Sequence, residues 1–289
     1  MNTPVFRRRF LKSFSLFPFL AGSISVFGEE TSSSFRLKGN IRQSVCYGAY
    51  RSIPLEVFAR QCKKIGLVGI DLVNPDEWAT VMENGLIVTL SRAPGASQTD
   101  SFNHRRYHEK LETLYSELLP LAGKACIRQM ICFSGSRKGI NDEEGMENCV
   151  VGLKRILPIA EKNGVTLVME LLNSFDHKDY HADHTVWGAK VARRLGSENF
   201  KLLYDIYHMQ RMEGNLIETI KKNKDVIGHY HTAGVPGRKD LDDAQEINYP
   251  AVMRAILETG FKGYVAHEFT PQKNDKMESL RDATRVCDV

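Results

Sequence analysis

The chain has 289 residues, 42% hydrophobic and 26% charged, an ordinary globular composition that excludes a disordered tail, a collagen-like repeat and a multi-span membrane protein. Its formal charge is +4, yet Arg7, Arg8, Arg9 and Lys12, four of the 39 basic residues, precede the first acidic one, Glu29; the rest of the chain balances its 35 acids. A neutral body offers no bulk charge to nucleic acid, and none is expected as a partner.

The N-terminus has the three parts of an export signal: a basic stretch at 7–12, an apolar run at 13–27 and a polar patch at 29–34. The apolar run is short and broken by Ser, Gly and Pro18, so it does not read as a bilayer-spanning helix. The stretch R-R-x-F-L-K resembles a twin-arginine signal, with Arg7 and Arg8 as the pair and Phe6 where Ser or Thr is usual. The expected organisation is a signal peptide at 1–28, a linker at 29–40 and one domain at 41–289. The product would be exported, periplasmic or otherwise extracytoplasmic, without stable membrane insertion after cleavage. Cys46, Cys62, Cys126, Cys132, Cys149 and Cys287 form no C-x-x-C pair, and most sit in apolar runs as small core residues.

From residue 41, short runs rich in Val, Ile and Leu alternate with longer amphipathic stretches. The run at 44–47 is followed by 54–66, where Leu55, Phe58, Ala59, Cys62 and Ile65 recur at helical spacing and Gly66 marks a stop. Strands are expected next at 68–73, 87–90, 128–133, 165–172, 201–206, 226–231 and 263–268. Helices are expected at 78–84, 105–123, 144–163, 185–195, 216–223, 249–259 and from about 276. Eight strand–helix pairs in this length predict an α/β fold, a closed (β/α)8 TIM barrel. The alternative, an open doubly wound sheet, lacks its phosphate-loop fingerprint: no G-x-G-x-x-G follows Tyr47, and no G-x-x-x-x-G-K-[ST] occurs.

Barrel active sites form where strands end at their C-terminal side. Expected strands five to eight end in Glu170, Asp205, His231 and Glu268. Side chains alternate along a strand, so Glu170 shares a face with Val168, and Asp205 with Leu203. Carboxylates ending inward apolar rows need a positive partner, and three together repel one another. A divalent cation resolves both problems. The three-carboxylate, one-imidazole set suits Mn2+ or Mg2+ and accommodates Co2+ or Zn2+. His208, three residues past Asp205, is placed to reach a substrate or to hydrogen-bond a ligand. Arg238, on the loop after His231, offers a bidentate grip for a carboxylate. His177, His181 and His184 lie with Asp176, Asp179 and Asp183 on the loop after strand five, which reads as a substrate-covering loop.

The segments Asp205-Ile206-Tyr207-His208-Met209-Gln210, Gly214-Asn215-Leu216, Gly228-His229-Tyr230-His231, Val235-Pro236-Gly237-Arg238, Glu246-Ile247-Asn248-Tyr249-Pro250 and Gly260-Phe261-Lys262-Gly263-Tyr264, leading to Glu268-Phe269, occur in this order. Together they resemble the hydroxypyruvate isomerase family of the xylose isomerase-like barrels, densely over 165–272 and more loosely over 41–164. The resemblance implies an isomerase interconverting aldehyde and ketone forms, with metal ligands at Glu170, Asp205, His231 and Glu268. It further implies that Glu170 and Glu268 double as the proton-transfer pair, with His208 and Arg238 on the substrate. Family hydroxypyruvate isomerases tend to carry Gln where this chain has His231, whereas ketose 3-epimerases carry His. A ketose 3-epimerase is therefore the alternative. An apurinic-site endonuclease would need extra His ligands that strands three and four do not supply, and a non-catalytic sugar-binding barrel is a further remote alternative. The expected partner is a small molecule, hydroxypyruvate-like or a ketose, and a homo-oligomer is compatible with the sequence.

Overall fold

A computed structural model describes residues Arg36–Val289; the expected signal peptide and the first part of the linker lie outside the described residues. The alternation read from the sequence appears as eight strands: β1 (Gln43–Cys46), β2 (Gly69–Val73), β3 (Ile87–Ser91), β4 (Gln129–Cys132), β5 (Thr166–Glu170), β6 (Phe200–Asp205), β7 (Ile227–Thr232) and β8 (Val265–His267). They pair in sequence order, all parallel, and β8 returns to β1 to close the barrel. Around them run α1 (Leu55–Ile65), α2 (Trp78–Glu83), α3 (His108–Lys124), α4 (Asp142–Asn163), α5 (Thr185–Leu195), α6 (Ile206–Met212), α7 (Leu216–Lys222), α8 (Tyr249–Glu258) and α9 (Lys276–Val286). Helix α1 ends as its sequence demands. Gly66 adopts a φ of 100° and donates to the carbonyls of Cys62 and Lys63, a left-handed cap that a side chain would strain.

The apolar core has two parts. A large cluster lies between the sheet and the helices. A smaller one, Cys46, Leu72, Leu90, Ile131, Val168, Leu203 and Ala266, draws a residue from every strand except β7. The cluster fixes the direction of the rows. Val168 and Leu203 belong to it, so two residues further on Glu170 and Asp205 face the same side.

Three features depart from the simple pattern. Helix α6, which the sequence did not announce, starts directly after Asp205. That carboxylate caps it by accepting from the His208 N–H at 3.2 Å. The helix follows the β6 run with no turn residue between, whereas α7, also seven residues, is preceded by Gly214-Asn215. Strand β8 is shorter than expected, leaving Glu268 just beyond its end. The third departure is in β2, where the register against β3 shifts between Asp71 and Val73 and Leu72 holds a φ of 56°, a strained value for a leucine.

Gly69 is required by the closeness of β2 and β3. A Cβ there would stand 2.4 Å from the Ile87 carbonyl oxygen and 2.7 Å from Thr89 Cγ2, and backbone cannot yield as a side chain can. Gly69→Ala is expected to cost about 1–3 kcal/mol, read as a lower urea midpoint; an unchanged midpoint would contradict this packing.

Candidate active site

Glu170 ends β5, Asp205 ends β6, His231 lies one residue from the end of β7 and Glu268 follows β8. Register brings them together, with Asp205 opposite His231 and His231 opposite Ala266. One ligand atom from each of the four lies within 4.8 Å of the others. His231 Nδ1 stands 2.6 Å from Glu268 Oε2 and 3.8 Å from Glu170 Oε1. Glu170, Asp205 and His231 are buried, and Glu268 is partly open.

Crowding marks the electrostatics. Burial, then the charges of Glu268 and Asp205, push the Glu170 carboxyl up to about 8. Burial acts the same way on Glu268, but Arg238 and His231 outweigh it and hold that carboxyl well below the usual range. Burial opposes a charged His231 ring; Cys46, Glu268 and Asp71 outweigh it and raise its pKa well above the ordinary value. Arg238 supplies the fixed positive charge. Its Nη2 donates to Asp205 Oδ2 at 3.0 Å and to Glu268 Oε2 at 2.7 Å, and its Nε to the Glu268 carbonyl at 3.1 Å. These bonds hold it despite a φ of 55°, a strained backbone for a non-glycine residue.

His208 lies between Asn173 and Arg238. It is fully buried, its Nε2 accepts from Arg238 Nη1 at 2.9 Å, and its Nδ1 lies 3.2 Å from the Asn173 backbone nitrogen. Burial, with a further contribution from Arg238, lowers its pKa to about 4. A neutral ring therefore backs Arg238. The histidines of the loop after β5 separate. His177 lines the cleft above the site. His181 is buried and stacked on Trp187 at 4.7 Å, and His184 pairs with Asp183 at 2.8 Å.

Sequence reasoning missed Asp71. It is fully buried in β2 and accepts from Ser44 Oγ at 2.7 Å and from Thr89 Oγ1. His229 Nε2 lies 2.6 Å from Asp71 Oδ2 and His231 Nε2 lies 3.3 Å from it. His229 Nδ1 is in turn 2.7 Å from Gln129 Oε1, an amide oriented by donating to the Gly228 carbonyl. Burial alone would raise the Asp71 carboxyl, but the two histidines hold it well below its ordinary range. The available signal was a lone carboxylate inside an apolar strand run, which needs buried partners.

The four-residue donor set fits a divalent cation: three carboxylates and one imidazole are close enough for one ion. Asp71 completes such a site from behind, because an imidazole that ligates through Nδ1 is oriented by the acceptor at its Nε2. The cleft over the cluster has a volume of about 450 Å³ and includes Glu170, Glu268, His177 and Arg238 in its lining.

Fold and site together define a class. The family profile of xylose isomerase-like TIM barrels matches residues 49–287, and the chain belongs to that family. It is 34% identical over 134 residues to the hydroxypyruvate isomerase of Escherichia coli (strain K12), covering 46% of this chain and 52% of that protein. The chain thus spans about half the length of that relative. To the 3-dehydro-D-guloside 4-epimerase of Escherichia coli (strain K12) it is 26% identical over 269 residues, covering 81% of this chain and 94% of that one. A solved AP endonuclease of family 2 from Brucella melitensis superimposes with a TM-score of 0.75 at 20% identity, over 83% of this chain and 97% of that one; at that identity the likeness shows the fold alone.

Two outcomes follow. Asp71→Asn is expected to weaken Mn2+ binding about 10–100-fold while the far-ultraviolet spectrum stays native; unchanged affinity in calorimetric titration would contradict the positioning of His231. Binding must also displace the proton that burial keeps on Glu170 below about pH 8. Affinity is therefore expected to rise with pH in that range, about tenfold per pH unit for each proton displaced. Equal Mn2+ affinities at about pH 6.5 and about pH 7.5 would contradict it.

Proposed function

We propose that this chain is a metal-dependent isomerase that converts hydroxypyruvate into tartronate semialdehyde by a 1,2 proton shift. The observation that carries the reading is the convergence of Glu170, Asp205, His231 and Glu268 within 4.8 Å at the barrel mouth. A divalent cation, held by these four residues, would supply Lewis-acid stabilisation of the negative charge that develops on two adjacent substrate oxygens.

The chain's own groups do the rest. Glu170 and Glu268 both line the cleft. One removes the proton from the hydroxymethyl carbon, and the same or the facing carboxyl returns a proton to the former carbonyl carbon. The hydroxyl proton passes between the two oxygens, so the product is an isomer and nothing is oxidised or reduced overall. Arg238 lies beside the two carboxyls with four of its five N–H groups held by Asp205, Glu268 and His208, and the remaining Nη1 N–H meets the substrate carboxylate. The hydroxypyruvate isomerase relative supports this reaction.

The second reading is a sugar epimerase using the same cluster on a ketose. It is favoured by His231 at the position where the resembled epimerases carry His, and by the epimerase relative that aligns along most of both chains. Turnover without a substrate carboxylate would distinguish it.

Glu170→Gln and Glu268→Gln, each assayed at measured metal content, are expected to lower kcat on hydroxypyruvate by about 10²–10⁴-fold. Either variant retaining most of the turnover with metal fully bound would overturn the proton-transfer pair.

A further inference from the structure

The cleft is roomy for a three-carbon acid. Its volume of about 450 Å³ lies within the range of small-molecule clefts. Besides Glu170 and Glu268, its lining includes apolar Leu72, Ile131 and Phe133 and polar Arg92, Asn74 and Gln98.

Arg92 follows β3 immediately. Its N–H donates to the Val73 carbonyl at 3.0 Å, and its Nε to the Leu72 carbonyl at 3.1 Å. That second acceptor exists because β2 is bulged: the register shift and the left-handed φ of Leu72 turn its carbonyl out of the regular ladder. The guanidinium is therefore anchored on one edge. Among the described residues, its two terminal nitrogens meet no carboxylate and no other hydrogen-bond acceptor. Arg238, across the same cleft, is by contrast bonded to Asp205 and Glu268.

We infer that Arg92 forms a second anion subsite in this cleft, for a substrate carboxylate or phosphate other than the group that Arg238 meets. An anchored guanidinium presents paired donors that match either anion. This inference rests on the reading of the carboxylate cluster as the reacting centre.

The test uses the metal-loaded chain and matched ketoses of four to six carbons, each offered with a neutral terminus, a terminal carboxylate and a terminal phosphate. The anionic members are expected to exceed the neutral one in kcat/KM by about tenfold or more. In Arg92→Gln that ratio falls towards one, and Arg92→Lys restores part of it. Which anion is preferred identifies the terminus. No anionic preference, or a preference that survives Arg92→Gln, overturns the subsite. If no member turns over, the isomerase reading fails separately, and calorimetry still decides the subsite. Tighter binding of an aldonate than of the alditol of equal length, abolished by Arg92→Gln, supports it; equal binding, or a difference that Arg92→Gln leaves in place, overturns it.

Discussion

Three carboxylates brought to one barrel mouth must be held against their mutual repulsion and against burial, and the rest of the site is arranged around that constraint. Glu170 and Asp205 end the inward rows that begin with Val168 and Leu203, so the strand pleat that packs the apolar ring also delivers the acids. Positive charge meets them from two directions. Arg238 reaches in from the loop after β7 to bridge Asp205 and Glu268, while His231 rises from β7 beneath them. A divalent cation fits the same logic, offering one compact charge to all four donors.

The barrel interior carries the constraint further down. The apolar ring skips β7, and in its place His229 and His231 bind a polar core of Asp71, Ser44, Thr89 and Gln129. A buried carboxylate of this kind is tolerable because donors surround it. Its geometric consequence is that His231 presents Nδ1 to the mouth. Backbone strain sits at the two cleft arginines in different ways. Arg238 is itself in a left-handed conformation, and Arg92 leans on the carbonyl of left-handed Leu72. Both guanidinium groups are thereby aimed into one cleft.

Much of the fold and the outline of the site was legible in the sequence. Apolar runs announced the eight strands because each buries both faces, and the polar residue ending each of the last four runs announced the cluster. Helix α6 was not legible because it continues the β6 run with no turn residue between them, and its N-cap was visible only as Asp205. Asp71 was hidden because a single acid in G-I-D-L-V carries no sign of Ser44, Thr89, His229 and His231, which reach it from three other strands. His208 was placed by spacing alone, and spacing could not tell that its ring lies behind Arg238. Arg92 escaped because its orientation depends on a bulge in the neighbouring strand, a feature with no local signature.

The central claim is that a metal held by Glu170, Asp205, His231 and Glu268 is required for proton transfer. Its most direct test is to strip the chain of metal, restore Mn2+, Mg2+ or Co2+ singly, and follow hydroxypyruvate in D2O by NMR. The stripped chain is expected to convert none of it, and tartronate semialdehyde formation is expected to return on re-addition. Undiminished conversion with the metal demonstrably gone would contradict it.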